Sequence, residues 1–72
     1  MTYFERLKAM REDKDISQRD FARLMGTTPQ QMCKYELGQQ EMTVSRLKKA
    51  CEILGVSADY LLGLPPGLPW PR

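Results

Sequence analysis

Residues 17–38 read SQRDFARLMGTTPQQMCKYELG, and this segment contains two helix start signals and two glycine stop signals in alternation. Ser17 can act as the N-cap of a first helix, because a serine hydroxyl accepts a hydrogen bond from an N–H of the first turn. Gly26 can end that helix, since glycine adopts the positive φ of a C-terminal cap at little cost. Thr28 offers a second N-cap, and Pro29 follows at the first helical position. A backbone N–H at this position would have no acceptor within the helix, so proline, which lacks an N–H, is well tolerated there. The segment therefore predicts two short helices joined by a tight turn.

The second of these helices has an inner and an outer side. Gln31 lies three residues after Thr28 and is expected to close a capping box, and the helix is expected to end just before Gly38. At about 100° per residue, Met32 and Tyr35 lie on the same side of this helix. We expect these two apolar side chains to face the protein core.

The outer side of the same helix carries amide, thiol and ammonium groups but no carboxylate. Its residues are Gln30, Cys33, Lys34 and Leu37. An ordinary solvated helix face is usually filled with Glu and Lys, which are good helix formers. Glutamine can pair with adenine N6 and N7, and lysine can reach guanine O6 and N7, so this face suits base edges in DNA. The alternative is that these polar residues are only tolerated on a wet surface.

Start signals on both sides of this segment predict an all-α domain with five helices. Thr2 and Glu5 have the spacing of a capping box, Thr43 can cap a fourth helix, and Ser57 can cap a short fifth. No segment has the alternating pattern of a strand. The helices are expected over about residues 3–14, 18–25, 29–37, 44–54 and 58–62. The second and third helices form a helix-turn-helix.

Helical periodicity also predicts which sides of the flanking helices are buried. The expected apolar stripes are Phe4, Leu7 and Met10 in the first helix and Val44, Leu47, Ala50, Cys51 and Leu54 in the fourth. We expect one helix-turn-helix domain over residues 1–63. Residues 64–72 are rich in proline, which predicts an extended tail.

The composition is that of one globular domain, with 42% hydrophobic and 28% charged residues and a net charge of +2. So small a charge does not by itself indicate a nucleic-acid partner. The sequence has no apolar run of about 18 residues and no charged start followed by an apolar segment. We therefore expect neither a membrane span nor a signal peptide, and a cytoplasmic location.

The residue types that usually carry catalysis or bind metals are scarce. Histidine is absent, and there are two cysteines, Cys33 and Cys51. A zinc site within one chain would need carboxylates to complete it, and no Ser or Cys has an evident general base. We expect no enzyme activity, no metal and no cofactor. The cysteines are expected to be free thiols, with a disulfide as the alternative.

The stretch from Arg6 to Leu62 resembles the Cro and phage-repressor type of helix-turn-helix domain, also called XRE. The resemblance is carried, without insertion, by RLKAMRE, ISQRDFARLMG, TTPQQMCKYELG, LKKACEILGVS and ADYLL. It implies a five-helix lambda-repressor-like fold. It also implies a sequence-specific double-stranded DNA-binding transcriptional regulator, in particular a small repressor of a bacterium, phage or other mobile element.

The resemblance implies roles for individual residues. Thr28, Pro29, Gln30 and Lys34 occupy positions from which relatives contact bases or the neighbouring backbone. Pro29 departs from the usual pattern, because its side chain has no hydrogen-bonding group and can offer only an apolar contact, for example to a thymine methyl. Gln18 matches a glutamine that binds a DNA phosphate and supports the docking of the third helix.

The loop after the third helix differs from that of many relatives. Residues 38–42 read GQQEM, whereas relatives often have Lys or Arg followed by proline. We expect the remaining phosphate contacts to come from Arg19, Gln39 and Thr43. The group Arg46, Lys48 and Lys49 and the N-terminus of the fourth helix are alternative sources. Because few cations contact phosphates in this scheme, the affinity should depend only weakly on salt.

Arg11 and Glu36 match a structural ion pair of several relatives. Each lies at the edge of the apolar stripe of its own helix, where long side chains of two packed helices can meet. The alternative is two separate, solvated charges.

A single recognition helix reads only a few base pairs, so such domains usually bind palindromic operators as two-fold dimers. The expected homodimer surface comprises Leu61, Leu62, Leu64 and Trp70, although Trp70 could instead be exposed on a frayed tail. Two further interpretations remain. The fold could serve mainly to bind another protein, as in an antitoxin or adaptor, or it could be retained without nucleic-acid binding.

Overall fold

The computed structural model describes residues 2–64, which form five α-helices and no strand. The helices are α1 (Tyr3–Asp13), α2 (Gln18–Met25), α3 (Pro29–Glu36), α4 (Val44–Leu54) and α5 (Ala58–Leu62). The predicted all-α fold with a helix-turn-helix formed by α2 and α3 is confirmed. The predicted tail, apart from Leu64, lies outside the described residues, and so does Trp70.

Every helix begins at a serine or threonine that caps it. The five N-caps are Thr2, Ser17, Thr28, Thr43 and Ser57. In each case the side-chain hydroxyl accepts a hydrogen bond from the backbone N–H three residues later, at 3.0–3.3 Å. A cap of this kind typically contributes about 1 kcal/mol to stability. The helix starts are therefore determined locally.

Only one of the two predicted capping boxes is complete. At the start of α1, the Thr2 backbone N–H donates to Glu5 Oε1 at 3.0 Å, which closes the box. At the start of α3, Thr28 Oγ1 accepts from the Gln31 N–H at 3.1 Å. The Gln31 side chain does not return the bond, and among the described residues its buried Nε2 has no hydrogen-bond partner. The predicted hydrogen bond from Gln31 N–H to the Thr28 hydroxyl is therefore present, but the predicted return bond to the Gln31 side chain was wrong.

One core forms where all five helices meet. It comprises Leu7, Phe21, Ala22, Met25, Met32, Tyr35, Ala50, Leu54 and Leu61. Burying each large side chain of such a core contributes about 1.5–3 kcal/mol. Met32 and Tyr35 are both buried, as their spacing in α3 predicted.

Two positions were predicted wrongly. Leu61 is fully buried in the core of the monomer, so it cannot also form the dimer surface proposed for it. Val44 was placed on the inner stripe of α4, but it is 83% exposed. It is the first residue of α4, whereas the buried residues of this helix are Ala50 and Leu54. Leu62 and Leu64 remain on the surface, 41% and 40% exposed.

The C-terminal end of α3 packs tightly on α1. Gly38 has φ +74° and lies directly against the Phe4 ring. A Cβ atom built on Gly38 would be 2.5 Å from Phe4 Cζ, closer than van der Waals contact allows. The positive φ therefore favours glycine here, and any larger residue would also require the Phe4 ring to move.

Candidate nucleic-acid interface

A glycine turn fixes the angle between α2 and α3. Gly26 ends α2 in the left-handed conformation, with φ 74° and ψ 31°. The Thr27 N–H donates to the Ala22 carbonyl at 2.9 Å, which satisfies a carbonyl that the helix end leaves without a partner. Thr28 then caps α3 immediately. Because only two residues separate Gly26 from the start of α3, the two helices cannot swing freely.

The outer side of α3 is open to solvent. Thr28, Pro29, Gln30 and Lys34 are all exposed. Gln30 and Lys34 are four residues apart and therefore neighbours on one face of the helix. Leu37, which follows them on this side, is 59% exposed. The four predicted base-contacting residues are thus all exposed on α3 and its N-cap.

A buried ion pair joins α1 to the end of α3. Arg11 Nε donates to Glu36 Oε2 at 2.8 Å, and Arg11 Nη2 donates to Glu36 Oε1 at 3.0 Å. Arg11 Nη1 also donates to the Ile16 carbonyl at 2.7 Å. The hydrogen bonds to Glu36 raise the pKa of Arg11, although burial acts in the opposite direction. The interpretation as two separate solvated charges is therefore excluded.

Gln18 joins this ion pair from α2. Its Nε2 donates to Glu36 Oε1 at 3.1 Å, so one carboxylate of α3 receives hydrogen bonds from α1 and α2 together. We call Arg11, Gln18 and Glu36 the polar triad. An amide nitrogen carries two hydrogens, so Gln18 can hold Glu36 with one and donate the other to a DNA phosphate. The contact with Glu36 was not predicted, although a carboxylate has enough lone pairs to accept a third donor.

The residues expected to contact phosphates lie on the surface around α3. Arg19, Gln39 and Thr43 are exposed. Thr43 Oγ1 accepts the Arg46 N–H at 3.2 Å, which leaves its own hydroxyl hydrogen free to donate to another group.

Arg23 lies close to the predicted phosphate-contacting surface but was not identified from the sequence. It lines an open cleft together with Arg19, Thr27 and Pro29. Its Nη2 contacts Asp20 Oδ1 at 3.3 Å. This ion pair is highly exposed, so it restrains the Arg23 side chain only weakly. The spacing of four residues from Arg19 could have indicated that both cations occupy one side of α2.

Cys33 and Cys51 are partly exposed and form no disulfide within the described part of the chain. Burial, followed by the nearby Glu52 carboxylate, raises the pKa of Cys51. Residues 2–64 bring together no cluster of His, Cys, Asp and Glu suited to a metal ion. None of the five described helices is long and apolar enough to cross a membrane.

Residues 4–65 match the model of a family described as a helix-turn-helix domain. The chain belongs to this family. It is 47% identical over 58 residues to YonR, an SPbeta prophage-derived uncharacterized HTH-type transcriptional regulator of Bacillus subtilis (strain 168), covering 81% of this chain and 54% of YonR. It is 38% identical over 60 residues to the uncharacterized HTH-type transcriptional regulator YqaE of the same organism, covering 83% of this chain and 52% of YqaE.

A solved structure supports the same assignment. The P22 c2 repressor, crystallised in complex with synthetic operator 9T in the presence of Tl+, superposes with a TM-score of 0.81. Sequence identity is 26%, and the alignment covers 86% of this chain and 94% of the repressor chain. The resemblance to repressor-type helix-turn-helix domains is thus confirmed. The chain spans about half the length of the curated relatives it matches.

Proposed function

We propose that this protein is a sequence-specific double-stranded DNA-binding regulator of transcription that acts as a repressor. The observation that carries the proposal is the exposed face of α3, where Gln30 and Lys34 project from a helix anchored by buried Met32 and Tyr35. The names of the two curated relatives and the operator complex of the P22 c2 repressor support it. We assign the protein no catalytic activity and a cytoplasmic location.

In this proposal α3 enters the major groove. Gln30 pairs with adenine N6 and N7, and Lys34 donates to guanine O6 and N7. Pro29 makes an apolar contact with a thymine methyl, and Thr28 donates to a base edge or the adjacent backbone. Because the helix is short, these contacts specify only a few base pairs.

Phosphate contacts hold α3 in register. Gln18 donates the amide hydrogen that Glu36 leaves free, while Arg19, Gln39 and Thr43 contact the backbone on either side. Arg23 adds a cation beside Arg19. The polar triad therefore couples the position of α3 to a phosphate contact at the first turn of α2.

Two copies bind a palindromic operator. One recognition helix provides too little discrimination in a genome, whereas two helices spaced by one turn of DNA multiply it. The two copies of this homodimer are related by the same two-fold axis as the two halves of the palindromic operator.

Selection of bound sites from a random DNA pool tests the function. We expect an enriched palindrome for the natural protein. The double substitution Gln30→Ala with Lys34→Ala should abolish enrichment while the helical circular dichroism spectrum is retained. Lys8→Ala is the matched control, because Lys8 is an exposed lysine of α1 with no assigned contact. A natural protein that enriches no sequence would refute the proposal.

A protein-binding role, as in an antitoxin or adaptor, is the second candidate. An open, mainly apolar groove along α4 and an acidic residue, Glu41, in the loop before it favour this alternative. It predicts that the random pool is recovered without enrichment.

A further inference from the structure

An open cleft lies between the outer side of α2 and the start of α3. Its five lining residues, which we call the α2 cleft, are Arg19, Asp20, Arg23, Thr27 and Pro29. All of them except Thr27 are exposed. Pro29 is the first residue of α3 and directly precedes Gln30. A group bound in the α2 cleft therefore lies beside the proposed base-reading face of α3.

The α2 cleft holds two cations on one side of α2. Arg19 and Arg23 are four residues apart and therefore neighbours on the helix surface. Like charges at this spacing repel each other and destabilise a helix. Among residues 2–64, only Arg23 of these two forms a salt bridge, with Asp20. An anion bound beside the two guanidinium groups would offset their repulsion.

The ion pair between Arg23 and Asp20 is weak. A single contact joins Arg23 Nη2 to Asp20 Oδ1 at 3.3 Å, and the two side chains are 77% and 56% exposed. Exposed pairs of this kind contribute little to stability. A guanidinium binds a phosphate more strongly, because it can donate two parallel hydrogen bonds to two of the phosphate oxygens. Arg23 can therefore exchange Asp20 for a phosphate at little cost.

Thr27 adds a hydroxyl donor to the α2 cleft. Its backbone N–H donates to the Ala22 carbonyl at 2.9 Å, which holds the residue against the end of α2. The cap of α3 is Thr28, so the Thr27 hydroxyl is not needed for it. Threonine hydroxyls and arginine guanidinium groups both commonly donate to DNA phosphates. The donors of the α2 cleft thus suit a phosphodiester.

The loop that follows α3 has the opposite charge. Residues 38–42 include the exposed Glu41 but no lysine or arginine. The α2 cleft, with two arginines and one aspartate, carries a net positive charge. Of these two flanks of α3, only the one at its start attracts a phosphate.

We infer that Arg23 and Thr27 bind a phosphodiester of the DNA backbone in the α2 cleft, beside the phosphate contacted by Arg19, and that Arg23 leaves Asp20 to do so. The inference rests on the DNA binding of the proposed function and adds roles for Thr27 and Asp20. Arg23 and Thr27 increase the affinity for every DNA sequence alike, because a phosphate carries no sequence information. Asp20 lowers this affinity, since it competes with the phosphate for Arg23.

The first experiment titrates the full chain with two duplexes of about 20 base pairs at several KCl concentrations. One duplex has an arbitrary sequence, and the other carries the palindrome selected from the random pool. Arg23→Ala should lower the affinity for both about tenfold and reduce the slope of log affinity against log salt by about one. Lys8→Ala, which removes an exposed cation of α1, is the matched control and should change both quantities far less. An unchanged affinity of Arg23→Ala would overturn the inference.

Asp20→Asn tests the exchange of partners. It should raise the affinity for both duplexes about two- to fivefold, because Arg23 no longer has to leave a carboxylate. Asp59→Asn removes an exposed acid from the first turn of α5 and is the matched control, with an affinity close to that of the natural protein. An affinity of Asp20→Asn at or below the natural value would exclude the exchange.

Neutral methylphosphonate linkages, introduced one at a time into the palindromic duplex, locate the contact. At one linkage the natural protein should lose affinity, whereas Arg23→Ala and Thr27→Val should each lose much less, because their contact with that phosphate is already weakened. Lys34→Ala, which removes a proposed base contact, should remain sensitive there. If Arg23→Ala and Thr27→Val respond like the natural protein at every linkage, the cleft does not bind the backbone.

A free phosphate ion offers the same chemistry as a phosphodiester. Inorganic phosphate, added at constant ionic strength, should displace DNA from the natural protein no more than from Arg23→Ala. A greater displacement from the natural protein would assign the α2 cleft to the free ion and overturn the inference.

These outcomes are separable from the outcome of the proposed function. Arg23→Ala should retain the ratio of the affinities for the two duplexes, whereas Gln30→Ala with Lys34→Ala should lose it. A natural protein that binds both duplexes equally, with the expected effects of Arg23→Ala and Asp20→Asn, would refute sequence specificity alone. A natural protein that selects the palindrome but is unaffected by Arg23→Ala would refute the α2 cleft alone.

Discussion

The guanidinium of Arg11 binds both carboxylate oxygens of Glu36, at 2.8 and 3.0 Å, although the two residues are 25 positions apart in the chain. The pair is almost fully buried, and Gln18 completes it from a third helix. It therefore ties α3 to both α1 and α2.

Glu36→Gln should strongly destabilise the fold. The substitution leaves the buried Arg11 guanidinium without a counter-charge, which costs about 3–5 kcal/mol. Urea denaturation followed by circular dichroism measures the loss. Asp20→Asn, which breaks the exposed pair with Arg23, is the control and should cost less than about 1 kcal/mol.

Replacing both buried charges tests this explanation. Arg11→Met with Glu36→Met removes the pair without stranding a charge, so it should be much less destabilising than Glu36→Gln. If the double variant is the less stable of the two, the loss does not come from the stranded Arg11.

Gln18→Ala should lower DNA affinity to a similar degree for every sequence. The substitution removes a neutral phosphate contact, so the slope of log affinity against log salt should stay constant. It should cost about 1–2 kcal/mol of stability, because Glu36 loses one donor. Gln18→Glu should cost more, since it places a second carboxylate beside Glu36. Titrations of operator and unrelated DNA at several salt concentrations provide the measurement.

Arg19→Ala and Gln30→Ala should affect DNA binding in different ways. Arg19→Ala should lower the affinity for all DNA sequences alike. It should also reduce the slope of log affinity against log salt by about one, as expected for the loss of one phosphate contact. Gln30→Ala should keep the salt slope but relax discrimination at one base position by about 1–3 kcal/mol. A base-specific loss from Arg19→Ala would contradict these roles.

Gly38→Ala should be more destabilising than Gly55→Ala. Both glycines have positive φ, so each substitution introduces backbone strain of about 1–2 kcal/mol. Only at Gly38 does the new methyl also meet an aromatic ring, that of Phe4, which adds about 1–3 kcal/mol. At Gly55 the same atom has nothing within 4 Å. In a double-mutant cycle, Phe4→Leu should relieve part of the Gly38→Ala penalty.

The Glu5 carboxylate should stabilise α1 only when it is ionised. Hydrogen bonds from the Thr2 backbone and hydroxyl lower the pKa of Glu5 below its ordinary value of 4.5. A group whose pKa is lower in the folded state stabilises the fold above its unfolded pKa, and this contribution is lost as pH falls through the folded pKa. The melting temperature of the natural protein should therefore exceed that of Glu5→Gln at pH 7, and the difference should shrink below pH 4.5. A difference that is constant with pH would argue against the ionised carboxylate.

The helix boundaries and the outward face of α3 could be read from the sequence. A cap at Thr28, a proline at position 29 and a glycine at position 38 act through neighbouring backbone atoms, so a few residues are sufficient to specify them. The inward direction of Met32 and Tyr35 likewise follows from helical geometry alone.

The tertiary structure decided which of these side chains find partners. Periodicity placed Val44 on the inner stripe of α4 with Leu47, yet Leu47 packs against the core whereas Val44 is exposed. Leu61 and Leu62 are adjacent apolar residues, but only Leu61 points into the space enclosed by the other helices. The bond from Gln18 to Glu36 depends on three helices packing at once. Local sequence sets the direction of a side chain, whereas burial and long-range hydrogen bonds depend on what the rest of the chain places in that direction.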